Sequence, residues 1–79
     1  MIILKENENI IYDGVLETED RVVHNIIITA HTHPNCHEVS YIQVYLDGST
    51  KPDTDYLLGN ELGTEAIIKY VLKSVKADL

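Results

Sequence analysis

A lone cysteine, Cys36, leaves the chain with no partner for an internal disulfide, which argues for a reducing compartment. No apolar run approaches the about 20 residues that a membrane-crossing helix needs. The first residues, Met1-Ile2-Ile3-Leu4-Lys5-Glu6, lack a basic stretch followed by a long apolar one, so no secretory signal is read there. Together these absences predict a cytoplasmic protein without a membrane partner. Basic residues are also scarce. Six lysines and arginines stand against thirteen acids, for a formal charge of −7. Such a chain has no general phosphate-neutralising surface, so direct nucleic-acid binding is not expected. Gly14, Gly48, Gly59 and Gly63 are scattered and form no phosphate-cradling loop.

What remains is ordinary globular material: 79 residues, 44% apolar and 24% charged. The length fits one domain over residues 1–79. A domain of this size buries only roughly 60% of the surface its unfolded chain exposes, so association with a partner or a second copy matters to it. The charge is uneven. Residues 1–65 hold twelve acids and three bases, whereas residues 66–79 hold one acid and three lysines.

The patterning predicts an α+β fold: a small antiparallel β-meander of three to four strands, with one C-terminal helix packed on one face. Ile2–Leu4 reads as a short first strand and Glu6-Asn7-Glu8-Asn9 as a turn. Ile10–Leu16 reads as the next strand, with Asp13-Gly14 marking a bulge or bend. Glu17–Asp20 reads as a second turn. In the stretch that follows, Val22, His24, Ile26 and Ile28 share one face, and Val23, Asn25, Ile27 and Thr29 share the other. From Val39 to Leu46, Ser40, Ile42, Val44 and Leu46 alternate with Val39, Tyr41, Gln43 and Tyr45. Joining the aliphatic faces of these two strands sets Ile28 beside Ile42, Ile26 beside Val44 and His24 beside Leu46. Residues 48–59 read as a long loop. A helix follows, capped by Asn60 or Thr64, with Ile67, Ile68, Val71, Leu72 and Val75 as its apolar stripe and Lys69, Lys73 and Lys76 opposite.

One segment has the composition of a metal site. His31-Thr32-His33-Pro34-Asn35-Cys36-His37 carries four soft or borderline ligands, the number that zinc takes in a tetrahedron. The spacing of His31 and His33 puts both imidazoles on one side of an extended chain. With His33 across from His37, three imidazoles and the Cys36 thiolate converge at a hairpin tip. The run His31-Thr32-His33-Pro34 also resembles the opening of the JAMM metalloprotease motif. Where that family carries its serine and aspartate, however, this chain has Tyr41 and Val44, and the resemblance covers about a dozen residues. Catalysis is not expected. Cys36 beside His37 has no orienting acid, and Glu17, Glu19 and Asp20 read as a charged turn.

The leading functional expectation is a small acidic protein-binding domain without catalysis or cofactor. In size, charge and architecture it is comparable to phage-encoded inhibitors, such as anti-CRISPR and other anti-defence proteins, and to toxin-immunity proteins. Its acids Glu17, Glu19, Asp20, Asp47, Asp53 and Asp55 would meet a basic nucleic-acid groove of the partner, with Tyr41, Tyr45 or Tyr56 as anchors. The first alternative is a zinc or other transition-metal module using His31, His33, Cys36 and His37. The second is a homo-oligomer, in the simplest case a homodimer, that buries the Tyr41/Tyr45 sheet face.

Overall fold

A computed structural model describes residues 2–35, 38–56 and 63–79. It shows a four-stranded antiparallel sheet in the order β1-β2-β3-β4, followed by one C-terminal helix. The strands are β1 (Glu8–Glu17), β2 (Val23–Thr32), β3 (Val39–Leu46) and β4 (Asp53–Tyr56), and the helix is α1 (Thr64–Asp78). No helix among the described residues is long and apolar enough to cross a membrane.

The core lies between the helix and one sheet face. Ile26, Ile28 and Ala30 from β2, Ile42 and Val44 from β3, and Leu16 from β1 pack against Ile67 and Val71 of α1. Ile26 and Ile28 are fully enclosed, and burying each isoleucine side chain is worth on the order of 2 kcal/mol. Ile67 and Val71 fall one helical turn apart, which is why the spacing of the stripe predicts the buried face. Leu72 and Val75 flank it. Lys69, Lys73 and Lys76 are exposed.

Several expected boundaries move. Ile2–Leu4 is not a strand, and β1 begins earlier than expected, at Glu8. The loop after Gly48 contains the short strand β4. The helix starts at Thr64, but its capping residue is Gly63, with no side-chain cap; Thr64 is therefore not the N-cap, and Asn60 lies outside the described residues. The β2–β3 register is displaced by two residues. Ile26 faces Leu46, Ile28 faces Val44 and Ala30 faces Ile42. A two-residue slip keeps every side chain on its own face, so alternation cannot detect it.

Two irregularities change faces instead. In β1, Ile10 pairs with Thr29 and Tyr12 with Ile28, leaving Ile11 as the extra residue. The β1 bulge is therefore at Ile11 and not at Asp13-Gly14. In β3, His31 faces Tyr41 but Thr32 faces Val39, leaving Ser40 extra. That bulge turns Val39 to the core, where it packs, and not to the tyrosine face. Each inserted residue reverses the parity of the strand beyond it.

The β1–β2 connection is a tight turn. Arg21 N–H donates to Thr18 O at 2.9 Å and Thr18 N–H to Val22 O at 3.0 Å. Glu19 and Asp20 sit at its tip, and Arg21 closes it with φ 63°. After β3, Asp47 and Gly48 take φ 51° and 75°, and Ser49 N–H returns to Leu46 O at 2.9 Å. This is the left-handed pair that an Asp-Gly sequence favours.

Candidate functional site

Opposite the helix, one cross-sheet rung takes a residue from every strand. Glu8 pairs with His31, His31 with Tyr41, and Tyr41 with Tyr56. The Ile11 bulge is what brings Glu8 to this face. The Tyr41 hydroxyl donates to Glu8 Oε2 at 2.5 Å, reaching across β2. The imidazole of His31 lies under that reach, stacked on the Tyr41 ring with centroids 4.8 Å apart and planes 8° from parallel. Tyr56 tilts against Tyr41 at 5.9 Å.

Glu8 is 6% exposed, unusual for a carboxylate. Its second oxygen, Oε1, accepts the Lys5 N–H at 2.7 Å, and Glu8 N–H returns to Lys5 O at 3.1 Å. These bonds tie the N-terminal segment to the sheet, and Asn7 takes φ 65° to allow the turn. The hydrogen bond from Tyr41 is the main reason the Glu8 carboxyl is held below its usual range, with the Lys5 amide adding to it against the opposing effect of burial. The same contact, helped by burial, pushes the Tyr41 hydroxyl up to about 12. Among the described residues, the buried His31 Nδ1 has no hydrogen-bond partner.

The expected metal ligands divide. Cys36 and His37 lie outside the described residues. His31 is stacked on Tyr41, and His33 Nδ1 accepts the Asn35 N–H at 3.2 Å. His33 N–H donates to Glu38 O at 2.8 Å, so at the backbone level His33 faces Glu38. Among the described residues no group of three or more His, Cys, Asp or Glu side chains is placed to hold a metal.

The expected partner residues also divide. Tyr41 and Tyr56 stand together, with Tyr56 71% exposed. Tyr45 does not serve as an exposed anchor: it is 8% exposed, its hydroxyl donates to Gln43 Oε1 at 3.0 Å, and it shares an apolar groove with Ile2, Ile10 and Ile27. The sheet face expected to be open is thus partly covered by the chain's own N-terminal segment. Asp47 has an internal task. Its Oδ2 contacts His24 Nδ1 at 2.7 Å and its Oδ1 accepts the Asn25 N–H at 3.1 Å. The His24 contact is the first cause that lowers the Asp47 carboxyl from its usual range. Glu19 and Asp20 line a cleft with Lys73 and Lys76 on one flank of α1. Glu17 is exposed at the end of β1. Asp53 and Asp55 lie beyond the other flank of α1, on β4. The six acids therefore form no single patch: Glu19 and Asp20 are exposed beside the helix lysines on one flank, and Asp53 and Asp55 are exposed on the other, away from those lysines.

The residues that sequence reasoning missed are Glu8 and His31 in its rung role. Without the bulge, Glu8, Ile10, Tyr12 and Gly14 would share the core face, so the signal was hidden by one inserted residue. Compared with known proteins, the chain matches no protein family, no curated protein and no solved structure.

Proposed function

We propose that this chain is a protein-binding domain that occludes a basic, nucleic-acid-binding surface of its partner, in the manner of phage-encoded anti-CRISPR and other anti-defence inhibitors. The observation that carries the reading is the edge strand β4. Its four residues are all exposed, and they present two carboxylates, Asp53 and Asp55, on the helix side of the edge and the exposed ring of Tyr56 on its other face. Acids supply attraction and orientation toward a basic surface, and an aromatic ring supplies contact area that leaves water on docking. The net charge of −7 works in the same direction. The partner is intracellular on this reading, and no cofactor takes part.

The test is competition. The chain is used to capture its partner from the native host at low salt, and the purified pair is then challenged with nucleic acid. The expected result is mutual exclusion, with affinity falling steeply as salt rises. A partner that binds nucleic acid and the chain together, or with an affinity indifferent to ionic strength, overturns the reading.

A further inference from the structure

β4 ends the sheet, so among the described residues one side of its backbone has no strand beside it. Its pairing sets Asp53 against Val44 and Asp55 against Ile42. Both carboxylates therefore point to the helix side of the sheet. There they rim a groove of about 280 Å³ whose base includes Ile42, Val44 and Val71, with Tyr70 and Asp78 of α1 on the far wall. The groove is apolar below and anionic above. Among the described residues, the one contact between an acidic and a basic side chain is that of Asp47 with His24, so Asp53, Asp55 and Asp78 have no cation within reach. The helix lysines Lys73 and Lys76 line the cleft on the other flank.

We propose that β4 receives an extended basic segment of a partner protein as a fifth strand, with alternate lysine or arginine side chains laid into the groove against Asp53, Asp55 and Asp78. This rests on the reading of a basic partner given above and names the surface that would meet it. Alternation supplies the fit. Asp53 and Asp55 are two residues apart, and side chains on one face of an incoming strand recur at the same interval of roughly 7 Å. Lysine and arginine stems are methylene chains that lie on apolar surface while the charged head stays at the rim. The unpaired edge of β4 offers main-chain hydrogen bonds that hold the segment in register.

The experiment uses the whole chain, isotopically labelled, and a blocked peptide of sequence Lys-Thr-Lys-Val-Lys-Thr-Lys. Amide resonances are followed as the peptide is added up to about 1 mM, the range in which a single short strand binds. Shifts confined to β4 and the facing turns of α1 are expected. Replacing the peptide lysines with glutamates, or methylating its alternate backbone nitrogens, is expected to abolish them. The double variant Asp53→Asn/Asp55→Asn changes two exposed side chains and keeps the fold, which its spectrum verifies. It is expected to bind at least about tenfold more weakly, a difference readily resolved by titration. Absence of binding, shifts located elsewhere, or binding untouched by backbone methylation or by the double variant overturns the proposal. If the peptide fails while the captured partner still competes with nucleic acid, the edge-strand inference falls and the inhibitor reading stands. If the peptide binds at β4 while the partner and nucleic acid bind together, the reverse holds.

Discussion

Tyr41 and Glu8 lie on strands separated by β2, yet the phenol hydroxyl of one donates to the carboxylate of the other at 2.5 Å. The contact joins a β1 residue to a β3 residue over the ring of His31. Removing it is the most direct way to weaken the sheet. In Tyr41→Phe, Glu8 keeps the Lys5 amide but loses its other donor while remaining buried. Hydrogen bonds to a charged group are worth about 1.5–3 kcal/mol, and that is the expected loss in urea unfolding. Glu8→Gln should lose a similar amount, and the double variant should lose less than the sum of the two. Strict additivity would show that the two residues act separately.

The same pair gives the domain a stability profile with two limbs. Folding holds the Glu8 carboxyl below its ordinary value, chiefly through Tyr41. Its contribution is complete above the ordinary carboxylate range and is lost as the pH falls through the folded value. Tyr41 is raised to about 12, with Glu8 as the first cause. Its contribution is complete below the usual tyrosine value of about 10 and fades between there and the raised one. Urea midpoints measured from acid to alkali should therefore fall at both ends. Relative to the wild type, Tyr41→Phe should lack the alkaline fall that this hydroxyl causes. Identical alkaline limbs in the two proteins would refute the assignment.

Arg21 closes the β1–β2 turn with φ 63°, a conformation that disfavours residues carrying a Cβ by about 1–2 kcal/mol. Glycine removes that strain but makes the unfolded chain freer by about 0.4–1 kcal/mol. Arg21→Gly is expected to raise stability by a net of about 0.5–1 kcal/mol, read as a higher melting temperature. A lower melting temperature would mean that the arginine side chain contributes a contact that outweighs its backbone strain.

Gly14 lies in the regular ladder opposite Ile26, and its role is spatial. A Cβ there would stand 2.8 Å from the Tyr12 hydroxyl oxygen and 3.0 Å from the ring, so the tyrosine must move. Gly14→Ala is expected to cost about 1 kcal/mol, the lower end of the range for overpacking. In a Tyr12→Ala background the same change should stabilise by about 0.5 kcal/mol, because alanine suits a strand better than glycine. Melting curves of the four proteins in this cycle test the coupling.

The parts of the fold that were legible in the sequence were those governed by burial. The Ile26/Ile28 face, the Ile42/Val44 face and the Ile67/Val71 stripe each follow from apolar spacing, and the helix takes the side they define. Features independent of burial were hidden. β4 has no apolar alternation, because Asp53-Thr54-Asp55-Tyr56 is wholly exposed. The bulges at Ile11 and Ser40 depend on the partner strand and carry no glycine to announce them. The correct β2–β3 register leaves the same residues inside as the one predicted. It differs in what lies beyond the strand, where Asp47 N–H donates to Asn25 O at 2.8 Å. Among the expected site residues, Tyr41 and Tyr56 come together because both bracket the same rung. Alternation predicts the face of Tyr45 but not its burial, because it says nothing of Ile2 in the N-terminal segment, which shares its groove.

Helix α1 also divides the ionic groups of its neighbourhood. Lys73 and Lys76 face the Glu19/Asp20 turn on one flank, and Asp53, Asp55 and Asp78 gather on the other. The helix side of the domain therefore carries a transverse dipole on top of its net negative charge. In the field of a cationic surface such a body experiences a torque before it touches anything. It rotates until the β4 flank leads and the lysine flank trails, so more encounters begin in one orientation.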